Sequence, residues 1–113
     1  MSSNAFAPQG NSVVLSVTTS SHAAVQVPGA GPANCNYVIS VVGNDTYLSW
    51  TAPLLSGATP SLTTVIPVDG TPANGYRVLG GSKETITVPA NAWFSAITAS
   101  GTSSTSITPG EGE

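Results

Sequence analysis

The sequence has very little charge. Charged residues make up 6% of its 113 residues, with two Lys and Arg against five Asp and Glu, so the net charge is -3. Soluble domains of ordinary composition are about a quarter charged. Binding to nucleic acid or to an anionic membrane surface requires a cluster of basic side chains, and two cations cannot form one. The sequence therefore predicts no nucleic-acid partner and no membrane partner.

The residues that most often carry chemistry are almost missing. Cys35 is the single cysteine, so one chain can form neither an internal disulfide nor a thiolate metal cluster. His22 is the single histidine, and no acidic residue lies near it in sequence to orient it as a base. Asp45 and Asp69 stand beside asparagine or glycine in connections, where aspartate commonly bonds the backbone of its own turn. We therefore predict a protein that is not an enzyme and holds no metal ion.

Motifs for cofactors and for export are missing as well. The glycine-rich stretch 29–32 lacks the third glycine and the helix of a dinucleotide loop, and no Gly-Lys-Ser/Thr follows it. No Gly-x-Ser-x-Gly motif is present to activate a serine. Residues 1–10 have neither the basic nor the apolar part of a secretory signal. We predict no cofactor, and we expect the protein to be made in a cytoplasm.

Hydroxyl groups and alternating apolar residues are what the sequence does contain. Ser and Thr form about a quarter of the chain, and their hydroxyls can hydrate a surface that has few charges. Apolar residues recur at every second position in several short runs, which is the period of a strand with one buried face. The runs are SVVLSVT, HAAVQVP, NYVISVV, TYLSWTA, LTTVIPV, YRVLGG, ETITVPA, AWFSAIT and SSTSITP.

The turn residues between these runs, and the spacing of the runs, predict the fold. NYVISVV and TYLSWTA flank a Gly-Asn-Asp turn at residues 43–45, which predicts a hairpin. Strands at intervals of roughly ten residues are typical of a sandwich or barrel. We predict an all-β fold, a single small β-sandwich or jelly-roll-like domain of about eight short antiparallel strands over residues 12–108. Extended arms flank it, a flexible N-terminal arm at 1–11 and a C-terminal tail at 109–113.

Aromatic side chains are the remaining candidates for a binding surface. The tryptophans and tyrosines could stack on sugars or anchor a core, and their alternation with polar residues favours the core or a subunit interface. Trp93 and Phe94 are consecutive, so a strand points them to opposite sides, and one of them should meet a partner or a covering loop. We expect the N-terminal arm to order on binding to a partner, with Phe6 as its apolar anchor and Pro8 restricting its backbone. The interface candidates are therefore Phe6, Pro8, Trp50, Trp93 and Phe94.

The last third of the chain carries a family resemblance. Its elements are Gly81 and Ser82 with Glu84 before a strand, Pro89 followed by Asn91 and Ala92, the run 94–97, a turn at Gly101, and the run 108–112. This pattern resembles the small virion structural proteins of tailed bacteriophages, of the type that decorates or cements the capsid. Upstream the likeness is looser and consists of an irregular start and a turn at 43–45.

The resemblance implies a β-sandwich or jelly roll that binds an icosahedral shell without catalysis, as a trimer or dimer. The partner would be the major capsid protein, the location the capsid surface of the virion, and the place of synthesis the host bacterial cytoplasm. It transfers no defined binding residue, because it is a likeness of fold. The low charge independently favours permanent association, since like-charge repulsion normally keeps monomers apart.

Other places on the virion stay open under this resemblance. The alternative function is a tail, collar or baseplate component that acts as a glycan- or receptor-binding module. That function predicts that Trp50 or Trp93 is exposed beside polar groups. A small hydrolase is a third hypothesis, disfavoured because the acid and base residues are missing.

Overall fold

The computed structural model describes residues 7–8, 10–29 and 33–111. In these residues the chain forms nine β-strands and no helix, and hence no helix that could span a membrane. The strands are β1 (Ala7–Pro8), β2 (Val13–Val17), β3 (Val25–Gln26), β4 (Asn34–Gly43), β5 (Thr46–Thr51), β6 (Tyr76–Val78), β7 (Lys83–Pro89), β8 (Trp93–Thr98) and β9 (Ser103–Glu111).

The strands form two antiparallel sheets. In the first sheet the order is β2-β9-β4-β7, and β1 pairs with the end of β9 beyond β2. In the second sheet the order is β3-β8-β5-β6. From β2 onwards each strand lies in the sheet opposite to its predecessor, except that β5 and β6 are neighbours. Without the short β1 each sheet has four strands, and eight strands connected in this way form a jelly roll. The predicted all-β sandwich is confirmed, and the strand order selects the jelly-roll arrangement.

The core lies between the sheets and follows from the alternation within each strand. In β4 every second residue is buried, namely Cys35, Tyr37, Ile39 and Val41. The intervening residues point away from the core and are at least partly exposed. The other buried apolar side chains include Leu15, Val17, Val27, Leu48, Val78, Phe94, Ala96 and Ile107.

Tyr37 joins the two sheets within this core. Its ring packs edge to face on Phe94 of the second sheet, with 5.1 Å between the ring centroids. Its hydroxyl donates to the carbonyl oxygen of Val27, just after β3, at 2.8 Å. Burial, with a smaller effect of the Cys35 thiol, raises the pKa of Tyr37 to about 12. The phenol is therefore a neutral hydrogen-bond donor over the whole physiological range.

The predicted hairpin at residues 43–45 is wrong. β4 pairs with β7 and β9, whereas β5 pairs with β6 and β8, so the two strands lie in different sheets. Each strand has one strongly apolar face, and these faces are buried by facing each other across the core. Gly43 turns the chain over the end of the sandwich with a φ of 114°. A turn does form there, but a turn signal does not specify the sheet to which the next strand belongs.

The run LTTVIPV does not form a strand. It lies within the long connection between β5 and β6, where Pro67 has no N–H to give to a ladder. The side-chain amide of Asn74 takes the place of a neighbouring strand. Its Oδ1 accepts the N–H of Val65 at 2.8 Å, and its Nδ2 donates to the carbonyl oxygen of Thr63 at 2.8 Å. The backbone is thus satisfied by a side chain where the sequence predicted a strand.

Two other predicted boundaries differ from the structure. β3 covers only the centre of HAAVQVP, and Ala23, one of the alternating apolar residues of this run, is exposed. β9 runs through Glu111, past the expected boundary at residue 108. Pro109 is tolerated in β9 because it lies opposite the gap between β1 and β2, where the ladder needs no N–H.

Replacing Tyr37 with phenylalanine tests the link between the sheets. The variant keeps the ring contact but leaves the buried carbonyl oxygen of Val27 without its donor, which costs about 1–3 kcal/mol. We expect the free energy of unfolding in urea at pH 7 to fall by that amount. Tyr47→Phe, at a half-exposed position outside the core, is the control and should change it by less than about 0.5 kcal/mol. Equal stability of the two variants would contradict the role of the hydrogen bond.

The raised pKa of Tyr37 also predicts a loss of stability in alkali. Between pH 10 and about 12 the phenol is ionised in the unfolded chain but still protonated in the folded protein. The unfolded state therefore binds fewer protons, and the free energy of unfolding falls as pH rises, by at most about 1.4 kcal/mol per pH unit for one group. Urea unfolding across this range should show a steeper fall for the native protein than for Tyr37→Phe. Parallel slopes would count against the assignment.

Candidate functional site

The outer face of the second sheet is covered by two connections, β2–β3 and β5–β6. Ser49 and Ser95 point outwards from β5 and β8, yet both are buried. Ser95 Oγ lies 2.9 Å from Ser21 Oγ and donates to the carbonyl oxygen of His22 at 2.7 Å. Ser49 Oγ lies 2.7 Å from Thr64 Oγ1. Hydroxyl groups therefore fasten these connections to the sheet.

The outer face of the first sheet is open among the residues that the structure describes. Val14 and Val42 on this face are 59% and 68% exposed. Among the strand side chains that the structure describes here, Lys83 is the only charged one. We call this surface the neutral face and define it by Val14, Ser16, Asn36, Val38, Ser40, Val42, Lys83, Thr85, Thr87, Ser104, Ser106 and Thr108.

The register of the strands arranges the neutral face in rows. Adjacent rows lie about 7 Å apart along the strands, and adjacent strands lie about 4.8 Å apart. The surface is therefore a regular array of hydroxyl, amide and valine side chains. One row runs Val14, Ser106, Ser40 and Lys83, and the next runs Ser16, Ser104 and Val42.

The five interface candidates lie in different places. Phe94 is completely buried in the core, so of the consecutive pair only Trp93, which points outwards and is half-buried, is left for a contact. Trp50 is half-buried and packs against the core. Pro8 is exposed in β1, and Phe6 lies outside the described residues.

The two tryptophans do not form one stacking platform. Trp50 lies opposite the inward-facing Phe94, so it faces inwards while Trp93 faces outwards. The indole of Trp50 packs edge to face on Tyr76, with 5.9 Å between centroids. The hydroxyl of Tyr76 donates to Glu84 Oε1 at 2.6 Å, and this bond raises the pKa of Tyr76. The hydrogen bond between Tyr76 and Glu84 joins β6 to β7, so it closes the sandwich along one side.

Three connections, β4–β5, β6–β7 and β8–β9, meet at one end of the sandwich, which we call the loop end. The backbone N–H and the side-chain amide of Asn44 both donate to the carbonyl oxygen of Thr102, at 3.2 and 3.0 Å. A Cβ on Gly80 would overlap the carbonyl oxygen of Gly43, and a Cβ on Gly101 would overlap the Asn44 amide. Glycine at these positions lets the three connections pack closely, backbone against backbone at Gly80 and backbone against the Asn44 amide at Gly101.

An ion pair lies on the loop end. Asp45 Oδ2 accepts from Arg77 Nη2 at 2.5 Å and from Nε at 3.2 Å, while Oδ1 accepts the N–H of Gly80 at 2.8 Å. The Gly80 N–H, followed by the Arg77 guanidinium, holds the pKa of Asp45 below its ordinary value, so the carboxylate is ionised at neutral pH. The side chain of Asp45 is 39% exposed and that of Arg77 is 57% exposed. The pair therefore presents donors and acceptors to solvent in a fixed arrangement.

A depression of about 330 Å³ lies beside the ion pair. Tyr47 and Arg77 are partners across the β5–β6 ladder, so their side chains lie on the same face of the second sheet. Most of the lining groups are polar, and they come from all three connections. The lining residues are Gly43, Asn44, Asp45, Tyr47, Arg77, Gly80, Ala99 and Ser100.

Sequence reasoning did not find the loop end. It assigned Asp45 to its own turn and gave Arg77 no role, whereas the Asp45 carboxylate bonds the backbone of Gly80 and the side chain of Arg77, 35 and 32 residues away. One signal was present, because Arg77 is one of only two cations in the chain and a carboxylate partner for it was to be expected. The sequence does not say which carboxylate that is.

His22 and Cys35, the single histidine and the single cysteine, each lie beside a backbone carbonyl oxygen. His22 Nδ1 lies 2.7 Å from the carbonyl oxygen of Ala23. Cys35 is buried, and its Sγ donates to the carbonyl oxygen of Asn36 at 3.3 Å. Among the residues that the structure describes, no group of three or more His, Cys, Asp or Glu side chains could hold a metal ion.

No family model matches the chain, and no curated protein or solved structure is significantly similar to it. What the protein does is therefore inferred from the neutral face and the loop end themselves.

Replacing Gly80 with alanine tests how tightly the loop end is built. The added Cβ would overlap the carbonyl oxygen of Gly43, and because that atom is backbone it cannot rotate away. Overpacking costs about 1–3 kcal/mol, so we expect the free energy of unfolding to fall by the upper end of that range, about 3 kcal/mol.

Gly57→Ala is the matched control. A Cβ on Gly57 meets nothing within 4 Å, and only its positive φ of 78° opposes alanine, which costs about 1–2 kcal/mol. Losses of the same size in the two variants would contradict the close backbone approach at Gly80.

Proposed function

We propose that the protein is a non-enzymatic structural component of a bacteriophage particle, a decoration or cement protein that binds the outer surface of the assembled head and stabilises it. The neutral face is the observation that carries this proposal, because it is an open sheet surface on which Lys83 is the only charge among the described strand side chains. The resemblance of residues 76–113 to such proteins points to the same use, and the jelly roll is a fold found in viral capsid domains. The partner is then the major capsid protein.

The composition of the neutral face favours a permanent contact. Burying an unpaired ionised side chain costs several kcal/mol, whereas a hydroxyl costs less and can bond either a donor or an acceptor. The cores of protein interfaces are depleted in charged residues for this reason. Val14 and Val42 add exposed apolar area, each Å² of which contributes about 25 cal/mol when it is removed from water.

A decoration protein stabilises a shell by mass action, because it binds the assembled state and not the dissociated subunits. A specific contact of this kind buries on the order of 1,600 Å² in total. Association as a dimer or trimer places several such contacts on neighbouring capsid subunits, so the avidity exceeds the affinity of one copy. A homo-oligomer is therefore part of the proposal.

The second candidate function is a glycan- or receptor-binding module of a tail, collar or baseplate. The depression at the loop end favours it, because concave sites with a few fixed polar groups are typical of small-ligand binding. This candidate does not depend on a platform of Trp50 and Trp93, which face opposite sides of the second sheet.

Mass spectrometry of purified particles tests the location. We expect the protein in heads together with the major capsid protein, and we expect heads that lack it to release DNA at a lower temperature. Absence from purified particles, or unchanged heat resistance after deletion, would contradict the decoration role. Presence in isolated tails but not in heads would favour the second candidate.

Val42→Asp tests the neutral face. The position is 68% exposed, so the free chain should stay folded and lose about 1 kcal/mol at most, because aspartate fits a strand less well than valine. Binding to heads that lack the protein should weaken about tenfold or more, because the contact would bury an unpaired carboxylate. Val65→Asp makes the same change at a 54% exposed position on the β5–β6 connection and should bind normally. Equal binding by both variants rules out the neutral face as the contact.

A further inference from the structure

We infer that the loop end binds a neutral saccharide through two adjacent hydroxyl groups of one sugar ring. The depression of about 330 Å³ falls at the lower end of the range of small-ligand sites, roughly 300–1,000 Å³, and so fits a single ring. The inference deepens the second candidate function by naming its ligand class. It holds whether or not the protein also decorates a capsid.

The ion pair supplies the recognition of a diol. Asp45 accepts two hydrogen bonds from Arg77 at Oδ2 and one from Gly80 at Oδ1, so Oδ1 can still accept one further donor. Arg77 uses Nε and Nη2 in this pair, so the N–H groups of Nη1 are not needed for it and can donate to another acceptor. Of two adjacent sugar hydroxyls, one can donate to the carboxylate while the other accepts from the guanidinium. Both groups are planar, and the ion pair holds them side by side.

The charge of the site disfavours ionic ligands. An anion that approaches Arg77 meets the Asp45 carboxylate, and a cation that approaches Asp45 meets the guanidinium, since the two are in direct contact. A divalent cation needs several oxygen ligands, and Asp45 is the only carboxylate among the lining residues. A neutral polyol satisfies both side chains without separating them.

The remaining walls suit the rest of a sugar ring. Tyr47 lies beside Arg77 on the same face of the second sheet and offers an aromatic surface to the C–H groups of the ring. Asn44 and Ser100 supply an amide and a hydroxyl, each of which can donate and accept. The site thus combines one apolar surface with several polar groups, as a sugar does.

The site is also fixed before any ligand arrives. Asn44 is held by the carbonyl oxygen of Thr102, and Asp45 by the N–H of Gly80. Groups that are already ordered lose little conformational freedom on binding, so more of the contact energy appears as affinity. An ion pair this exposed contributes little to folding, which makes stability a weak reason for building it so rigidly.

NMR titration of the full ¹⁵N-labelled chain tests the inference. The probes are the methyl glycosides of glucose, mannose and galactose, with sodium phosphate and sodium glucuronate as ionic controls. We expect the amide signals of Asn44, Asp45, Gly80 and Ser100 to shift saturably with at least one methyl glycoside and not with phosphate. No saturable shift with any of the three glycosides, or equal shifts with phosphate, overturns the inference.

Variants separate recognition from folding. Arg77→Ala should weaken the binding about tenfold or more, because it removes charge-assisted hydrogen bonds. Ser100→Leu leaves the ion pair intact but fills the depression, so it should abolish binding even if Arg77→Ala disturbs the loops. Lys83→Ala removes the other cation, on the neutral face, and should bind normally. Unchanged affinity in both Arg77→Ala and Ser100→Leu overturns the site.

A free sugar and the end of a surface polysaccharide present the same hydroxyl chemistry. Binding of the chain to arrayed bacterial oligosaccharides distinguishes them, since tighter binding there than to the methyl glycosides assigns a glycan end. Equal affinity assigns a single ring as the whole ligand. These measurements use the isolated chain. The absence of sugar binding would therefore not affect the test of the decoration role on phage heads.

Discussion

The ring of Tyr37 packs on Phe94 while its hydroxyl bonds the backbone of Val27, and through these two contacts it joins the sheets. β4, which carries Tyr37, lies between β9 and β7, and β8, which carries Phe94, lies between β3 and β5. Fixing these two central strands against each other fixes their neighbours through the ladders. The neutral face is the outer side of β4 and its partners. The loop end lies where β4 and β8 end and the β4–β5 and β8–β9 connections begin. Both surfaces therefore take their geometry from this contact.

Hydroxyl groups form many of the side-chain hydrogen bonds of this protein, which has few charged groups to form them. Thr46 and Ser103 bond each other at 2.5 Å between the sheets, and Ser49 and Thr64 bond each other beneath a covering connection. A hydroxyl can donate and accept, so such pairs satisfy buried polar atoms without a charge to neutralise. Among the described residues no buried side-chain nitrogen or oxygen lacks a partner. The one ion pair of the described chain is then placed at the surface, on the loop end.

Local alternation made the strands and the core predictable. The inward set in β2 and β4, including Leu15, Tyr37 and Ile39, follows from a period of two, because burial of one strand face depends on neighbouring residues alone. The sheet to which a strand belongs depends on distant partners, which is why the turn at 43–45 was predicted as a hairpin. The loop end escaped prediction for the same reason, since the hydrogen bonds of Asp45 span more than thirty residues. A side chain that replaces a strand, as Asn74 does, leaves no periodic pattern in the sequence.

Because the neutral face carries almost no charge, a contact made through it should depend little on screening by salt. Dissolved ions weaken contacts between charges over a Debye length of about 8–10 Å, but they have little effect on contacts between neutral groups. A contact made through hydroxyls and valines should therefore not weaken as salt is added. Its strength is governed by the dehydration of the surface, and so by temperature and by excluded solutes more than by ionic strength.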